Sequence, residues 1–305
     1  MTTELGSILA EVQSDSLPLS KEEFAAMKKA ERDAVYGLSD QTALEVAGDE
    51  GKFQQYLDLQ IQLRHASPEL KNELYSESNA LLVLAQKPNA TRIADFDYWK
   101  DHGCFVKKNE KGISIIERGD DYIREDGSPG RSYDIKKVFD ISQVDDSKLR
   151  QEPEPQYTER LLLKSLVAHA PVRIDLVEHV PDGYGAEYHA ETDSISVQQG
   201  MKFHQTFRSL AEATATYYLT TGPDTQAQSQ FSAHCAAYML CKKYGVETSG
   251  FWFSDAPIVL KGMDAKEIKG ELSQISDVAA DISMHMEKTL EPPKRGERVL
   301  DAGAR

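Results

Sequence analysis

Three lysines, Lys107, Lys108 and Lys111, stand in the run FVKKNEKGI, a few residues from Trp99 and beside Phe105. That mixture suits one chemistry in particular. Ammonium groups track the phosphates of a single nucleic-acid strand, while aromatic faces stack on bases with little regard to their identity. The same residues have a plainer reading. A lysine-rich turn is ordinarily solvated surface, and an aromatic beside a strand, Trp99 above all, is ordinarily core. Arg92, Arg118 and Lys136 carry further positive charge in this stretch, with nothing in the sequence to fix their side. Cys104, Cys235 and Cys241 form no CxxC pair and leave an odd count, so buried, reduced thiols are expected in place of a zinc site.

The elements that must position these residues run from 96 to 144. A short helix over 95–101 carries Phe96, Tyr98 and Trp99 and stops at Gly103, where a left-handed residue is free of steric cost. Phe105 and Val106 open a strand, the turn KNEKG follows with Gly112 supplying its geometry, and Ile113, Ile115 and Ile116 resume the strand. An acidic hairpin over 120–131 is expected to interrupt the sheet before 133–141 returns to it. Upstream, Ser20 and Glu23 form a capping-box pattern before a polar helix that should end at Gly37 and either lie on the surface or dock on a partner. Further helices are expected over 52–65 and 68–84, and the sheet should pack on them. No regular structure is expected for 1–19.

The segment 145–159 is charged, carries two prolines and reads as a linker. Beyond it come a helix over 160–168, short strands in VRIDLVEHV and GYGAEYHAETDSISV, and helices over 199–219 and 228–244, the last stopping at Gly245. Phe251, Trp252 and Phe253 follow, and three consecutive aromatics should plug a groove between domains or make a contact patch. A final helix over 264–290 should turn Ile268, Leu272, Ile275, Val278 and Ile282 inward.

Composition sets bounds on all of this. A chain of 305 residues with 40% hydrophobic and 28% charged residues is globular and long enough for about two domains. No apolar run approaches the roughly 20 residues needed to span a bilayer. The start, MTTELGSILAEVQSDS, lacks the pattern of a signal peptide, so a cytoplasmic location is expected, with no membrane partner. The net charge of −15 works against a broad duplex-binding face. Nucleic-acid contact must come from a local lysine patch, and it should be weak and salt-sensitive. Carboxylate mimicry of DNA is disfavoured because acids and bases are interleaved, as in KKNEK.

In order and spacing, Trp99, Gly103, Val106, Lys107, Lys108, Glu110, Lys111, Gly112 and Ile113, followed by VFDISQ at 138–143, resemble the N-terminal domain of ArdC-type antirestriction proteins and their LtrC-like relatives from mobile elements. NALLVLAQKPNAT, at 79–91, is similar to that family's entry helix. The usual glycine after the second lysine is Asn109 here, and asparagine tolerates positive φ. The resemblance implies a sequence-independent, single-stranded-DNA-binding module using Lys107, Lys108, Lys111, Trp99 and Phe105.

The strand at 188–197 and AAYMLCKKYG at 236–245 resemble the zincin-like metallopeptidase domain that follows in the family, whose helix carries HExxH. Here Glu212 stands at the first histidine, Ala213 at the general base, Thr216 at the second histidine, and His234 where a third, acidic ligand belongs. Alanine takes no proton and threonine is a poor zinc ligand, so this metal site is degenerate. His204, eight residues before Glu212, is turned about 80° round the helix and is a poor substitute.

The expected fold is therefore α+β: N-terminal helices with a small antiparallel sheet, then a zincin-like α+β domain. The expected division is 1–45 with one helix, 46–148 as the binding module, 156–290 as the zincin-like domain and 291–305 as a tail. Expected partners are single-stranded DNA and, beyond it, conjugation or restriction proteins; no cofactor is expected. Two alternatives stand beside this reading: a metal-dependent peptidase with rearranged ligands, and a protein-interaction module without nucleic-acid affinity.

Overall fold

A computed structural model describes residues 20–66, 76–124, 126–145, 156–181, 184–220 and 226–290. The expected irregular N-terminal segment, the start of the expected third helix, most of the expected linker and the tail lie outside the described residues. The architecture is α+β, with two small three-stranded sheets among helices.

Helix α1 (Lys21–Gly48) begins at the expected capping box, in which Ser20 Oγ accepts from the Glu23 amide at 3.1 Å and Glu23 Oε2 accepts from the Ser20 amide at 2.9 Å. It does not stop at Gly37. Val35, Ser39, Thr42, Ala43, Val46 and Ala47 form a buried stripe at helical spacing. Burial of that stripe outweighs the roughly 1 kcal/mol that a mid-helix glycine costs. Helix α2 (Glu50–Ala66) buries Phe53, Tyr56, Leu57 and Leu63, and α3 (Glu77–Gln86) buries every residue from Asn79 to Leu84.

Strand β1 (Ile93–Asp95), helix α4 (Phe96–Asp101), and strands β2 (Ile113–Ile123) and β3 (Pro129–Asp140) come next. The sheet order is β1-β3-β2, antiparallel throughout. The acidic hairpin does not interrupt the ladder as expected. Pairing continues from Arg118–Tyr133 to Ile123–Pro129 with one register shift, because a bulge absorbs the misfit. Phe105 and Val106 form no strand, and Val106 makes only an isolated bridge to Val144.

The outer edge of β2 is closed by side chains of α3. The Asn79 amide donates to the Ile116 carbonyl and accepts from its N–H, both at 2.8 Å. Gln86 does the same for Ser114 at 2.9 Å. Two side-chain amides thus satisfy backbone groups that a neighbouring strand would otherwise take.

Helix α5 (Glu159–Ala168) leads to β4 (Arg173–Val177), β5 (Ala186–His189) and β6 (Ser194–Gln198), in which β4 runs parallel and β5 antiparallel to the central β6. Helices α6 (Phe203–Leu219) and α7 (Gln226–Lys243), the short α8 (Ala256–Val259) and α9 (Ala265–Leu290) complete the described residues. Buried side chains of α1, α2 and α3 join those of α6, α7 and α9 in one continuous apolar core. The inward face of α9 is the expected one, from Ile268 to Ile282. Among the described residues, no helix is long and apolar enough to cross a membrane.

Candidate nucleic-acid interface

The lysine turn is held by the VFDISQ segment, and the hydrogen bonds explain why the two stretches go together. Asp140 is fully buried; its Oδ1 accepts from the Thr91 and Arg92 amides and its Oδ2 from the Ser142 amide. This caps the single 3-10 turn Ile141–Gln143. Gln143 then faces the lysine turn. Its Nε2 donates to the Lys111 carbonyl and to Glu110 Oε2, both at 2.9 Å, while its own carbonyl accepts from the Lys107 amide. The turn's one carboxylate is thereby taken up by an amide. Among the described residues, Lys108 and Lys111 make no ion pair, and all three lysines are exposed. Lys107 Nζ donates to the Ser142 carbonyl at 2.9 Å.

Asn109, and not Gly112, supplies the unusual backbone of the turn, with φ of 69°. Gly112 is needed for a different reason. A Cβ there would lie 3.0 Å from the Lys137 Cβ and 3.2 Å from the Phe139 ring. Gly103, at φ 71°, ends α4 as expected.

Of the two expected stacking residues, the structure keeps one available. Phe105 is 57% exposed, directly before the lysines. Trp99 is corrected to core. It is fully buried with Ala94, Cys104 and Val144, and its Nε1 donates to the Phe139 carbonyl at 2.9 Å, so no face of the indole is open to a base. Its burial supports the turn from beneath. Phe96, outside the expected set of stacking residues, is 51% exposed at the first position of α4. Asp95 marks that position as an N-cap, accepting from the Tyr98 amide at 2.7 Å, but does not reveal which aromatic turns inward. Arg92 donates to the Tyr98 hydroxyl at 2.7 Å, and Tyr98 stacks on His102 at 4.1 Å. Arg118 pairs with Asp121, and Lys136 with Asp95 and Glu117, so neither adds a free cation to the patch.

The positions at which the resemblance expects a degenerate metal site come together on α6 and α7. Glu212 Oε2 lies 3.5 Å from His234 Nδ1. Thr216 donates its hydroxyl to the Glu212 backbone carbonyl at 2.9 Å, and Ala213 is buried. His204 faces Glu247 at 3.6 Å instead. Among the described residues, no group of three His, Cys, Asp or Glu side chains could hold a metal ion. Cys235 and Cys241 are buried; burial pushes the Cys235 thiol well above its usual range and the Cys241 thiol up to about 12, far from the thiolate a metal needs. A family-type catalytic metal therefore does not fit these residues.

The family model for the N-terminal domain of the anti-restriction factor ArdC matches residues 62–166. Two crystal structures of the antirestriction protein ArdC from plasmid R388, one metal-free and one Mn(II)-bound, share the fold. Each has 15% identity and a TM-score of 0.56, over 82% of this chain and 98% of the matched chain. No curated protein sequence matches.

Proposed function

Because residues 62–166 match the N-terminal domain of ArdC and the chain shares the fold of that protein, we propose that it acts in antirestriction by binding single-stranded DNA without reading its sequence, in the cytoplasm, through Lys107, Lys108, Lys111 and Phe105. The observation that carries this reading is the lysine turn itself. Its backbone is pinned by Gln143, its carboxylate is engaged by an amide, and the ammonium groups of Lys108 and Lys111 are left to solvent beside an exposed ring. A fixed turn loses little conformational entropy when a strand lands on it. Phosphates meet the ammonium groups, and an unstacked base meets Phe105. Covering a strand in this way keeps it from nucleases. The α6–α7 half serves as scaffold in this reading, without peptidase chemistry.

The exposed N-terminal half of α1 favours a second reading. Residues 21–30 bury nothing, and Phe24 and Met27 stand in solvent one turn apart. Such a helix suits docking on a conjugation or restriction protein, with or without DNA.

Equilibrium titration of a labelled oligonucleotide, single-stranded and duplex, at two salt concentrations tests the first reading. Binding should favour the single strand and weaken with salt, with a slope of about −0.7 per phosphate contact. No binding at low salt would leave the docking reading in its place.

A further inference from the structure

We propose that the former metal position has become a metal-free clasp, in which His234 anchors the aromatic strap Phe251–Phe253 and so fastens α2 to the α6–α7 pair. This rests on the reading of the second half as a scaffold, but not on DNA binding.

The His234 ring lies 4.9 Å from Phe251, 5.0 Å from Trp252 and 6.2 Å from Phe253, centroid to centroid. One ring nitrogen, Nδ1, faces Glu212. The other, Nε2, is buried and has no hydrogen-bond partner among the described residues. A metal ligand needs that nitrogen, or Nδ1, aimed at an open coordination position with two further donors converging on it. Here rings occupy the imidazole's surroundings, and among the described residues the only converging donor is Glu212.

The strap is held at both ends. Arg208, one turn before Glu212 on α6, donates to the Gly250 carbonyl at 2.9 Å and lies over the Phe251 ring at 5.4 Å. Gly250 allows that approach, since a Cβ there would collide with the Arg208 guanidinium. Phe253 is buried, packs on Phe53 of α2 at 5.9 Å and on Tyr238 of α7 at 4.9 Å, and its amide donates to Glu50 Oε1 at 3.3 Å. Tyr238 in turn donates to Asp58 of α2 at 2.6 Å. The expected aromatic plug thus exists, but only Phe253 fills it; Trp252 remains 54% exposed.

His234→Phe is the discriminating variant. A phenyl ring keeps the aromatic contacts and removes the orphaned nitrogen, while Glu212, whose side chain is 27% exposed, returns to water. After chelation, the full chain is incubated with Mn(II) or Zn(II), desalted and assayed for bound metal, and its melting temperature is measured with and without the ion. The clasp predicts less than a tenth of an equivalent (~0.1) retained, no metal-dependent shift, and a melting temperature for H234F within about 3 °C of wild type. Trp252 fluorescence should keep its wild-type maximum in H234F. About one equivalent retained by the wild type, raising its melting temperature and lost in both H234F and Glu212→Gln, would overturn it. So would an H234F protein that melts more than about 8 °C lower with no metal in either form, since packing would then not be the imidazole's role. Neither outcome bears on oligonucleotide binding, which stands or falls with the lysine turn.

Discussion

Asn109 shows how one residue decides the shape of the candidate interface. With φ of 69°, it sits in the left-handed region that costs most side chains about 1–2 kcal/mol and asparagine less. Asn109→Gly should therefore leave the denaturant midpoint near wild type, and Asn109→Val should lower stability by about 1–2 kcal/mol. Equal stability of the two variants would mean that the turn relaxes. The sequence made this legible, because the glycine that the family pattern wants is replaced by the residue that best imitates it. It left the role of Gly112 hidden, because a close approach to Lys137 and Phe139 exists only once the sheet is assembled. Trp99 was open to two readings for the same reason. Whether an indole meets solvent or the Phe139 carbonyl depends on strand register, not on its neighbours in sequence.

At the scale of elements, periodicity located most helices of the second half to within a few residues, and the capping box fixed the start of α1. Its end was missed because the stripe from Val35 to Ala47 acquires its meaning only when α2, α3 and α9 cover it. The hairpin's charge density suggests a loop in sequence, yet Asp121 is paired with Arg118 and Arg131 on the strand surface. The device least visible in sequence is the closure of β2 by Asn79 and Gln86. Asn79→Ala would leave both backbone groups of Ile116 without their partner in a part-buried position. A loss of about 1–3 kcal/mol is expected in chemical denaturation. A loss below about 0.5 kcal/mol would mean that water replaces the amide there.

For the whole molecule, the central tension is a body of net charge −15 that must approach a polyanion. The fold resolves it locally. Arg118, Arg131 and Lys136 are spent on carboxylates, whereas Lys108 and Lys111 are kept out of ion pairs among the described residues. Long-range repulsion is screened beyond about 8 Å at physiological salt, so a small exposed patch can act within that distance. The measurement that bears on this most directly is a low-salt titration of single-stranded oligonucleotide with the wild type, Phe105→Ala, and the triple variant Lys107→Ala, Lys108→Ala, Lys111→Ala. The triple variant should bind at least about tenfold more weakly, Phe105→Ala about fivefold or more, both with wild-type melting temperatures. A triple variant that binds as tightly as the wild type would contradict the assignment of the lysine turn.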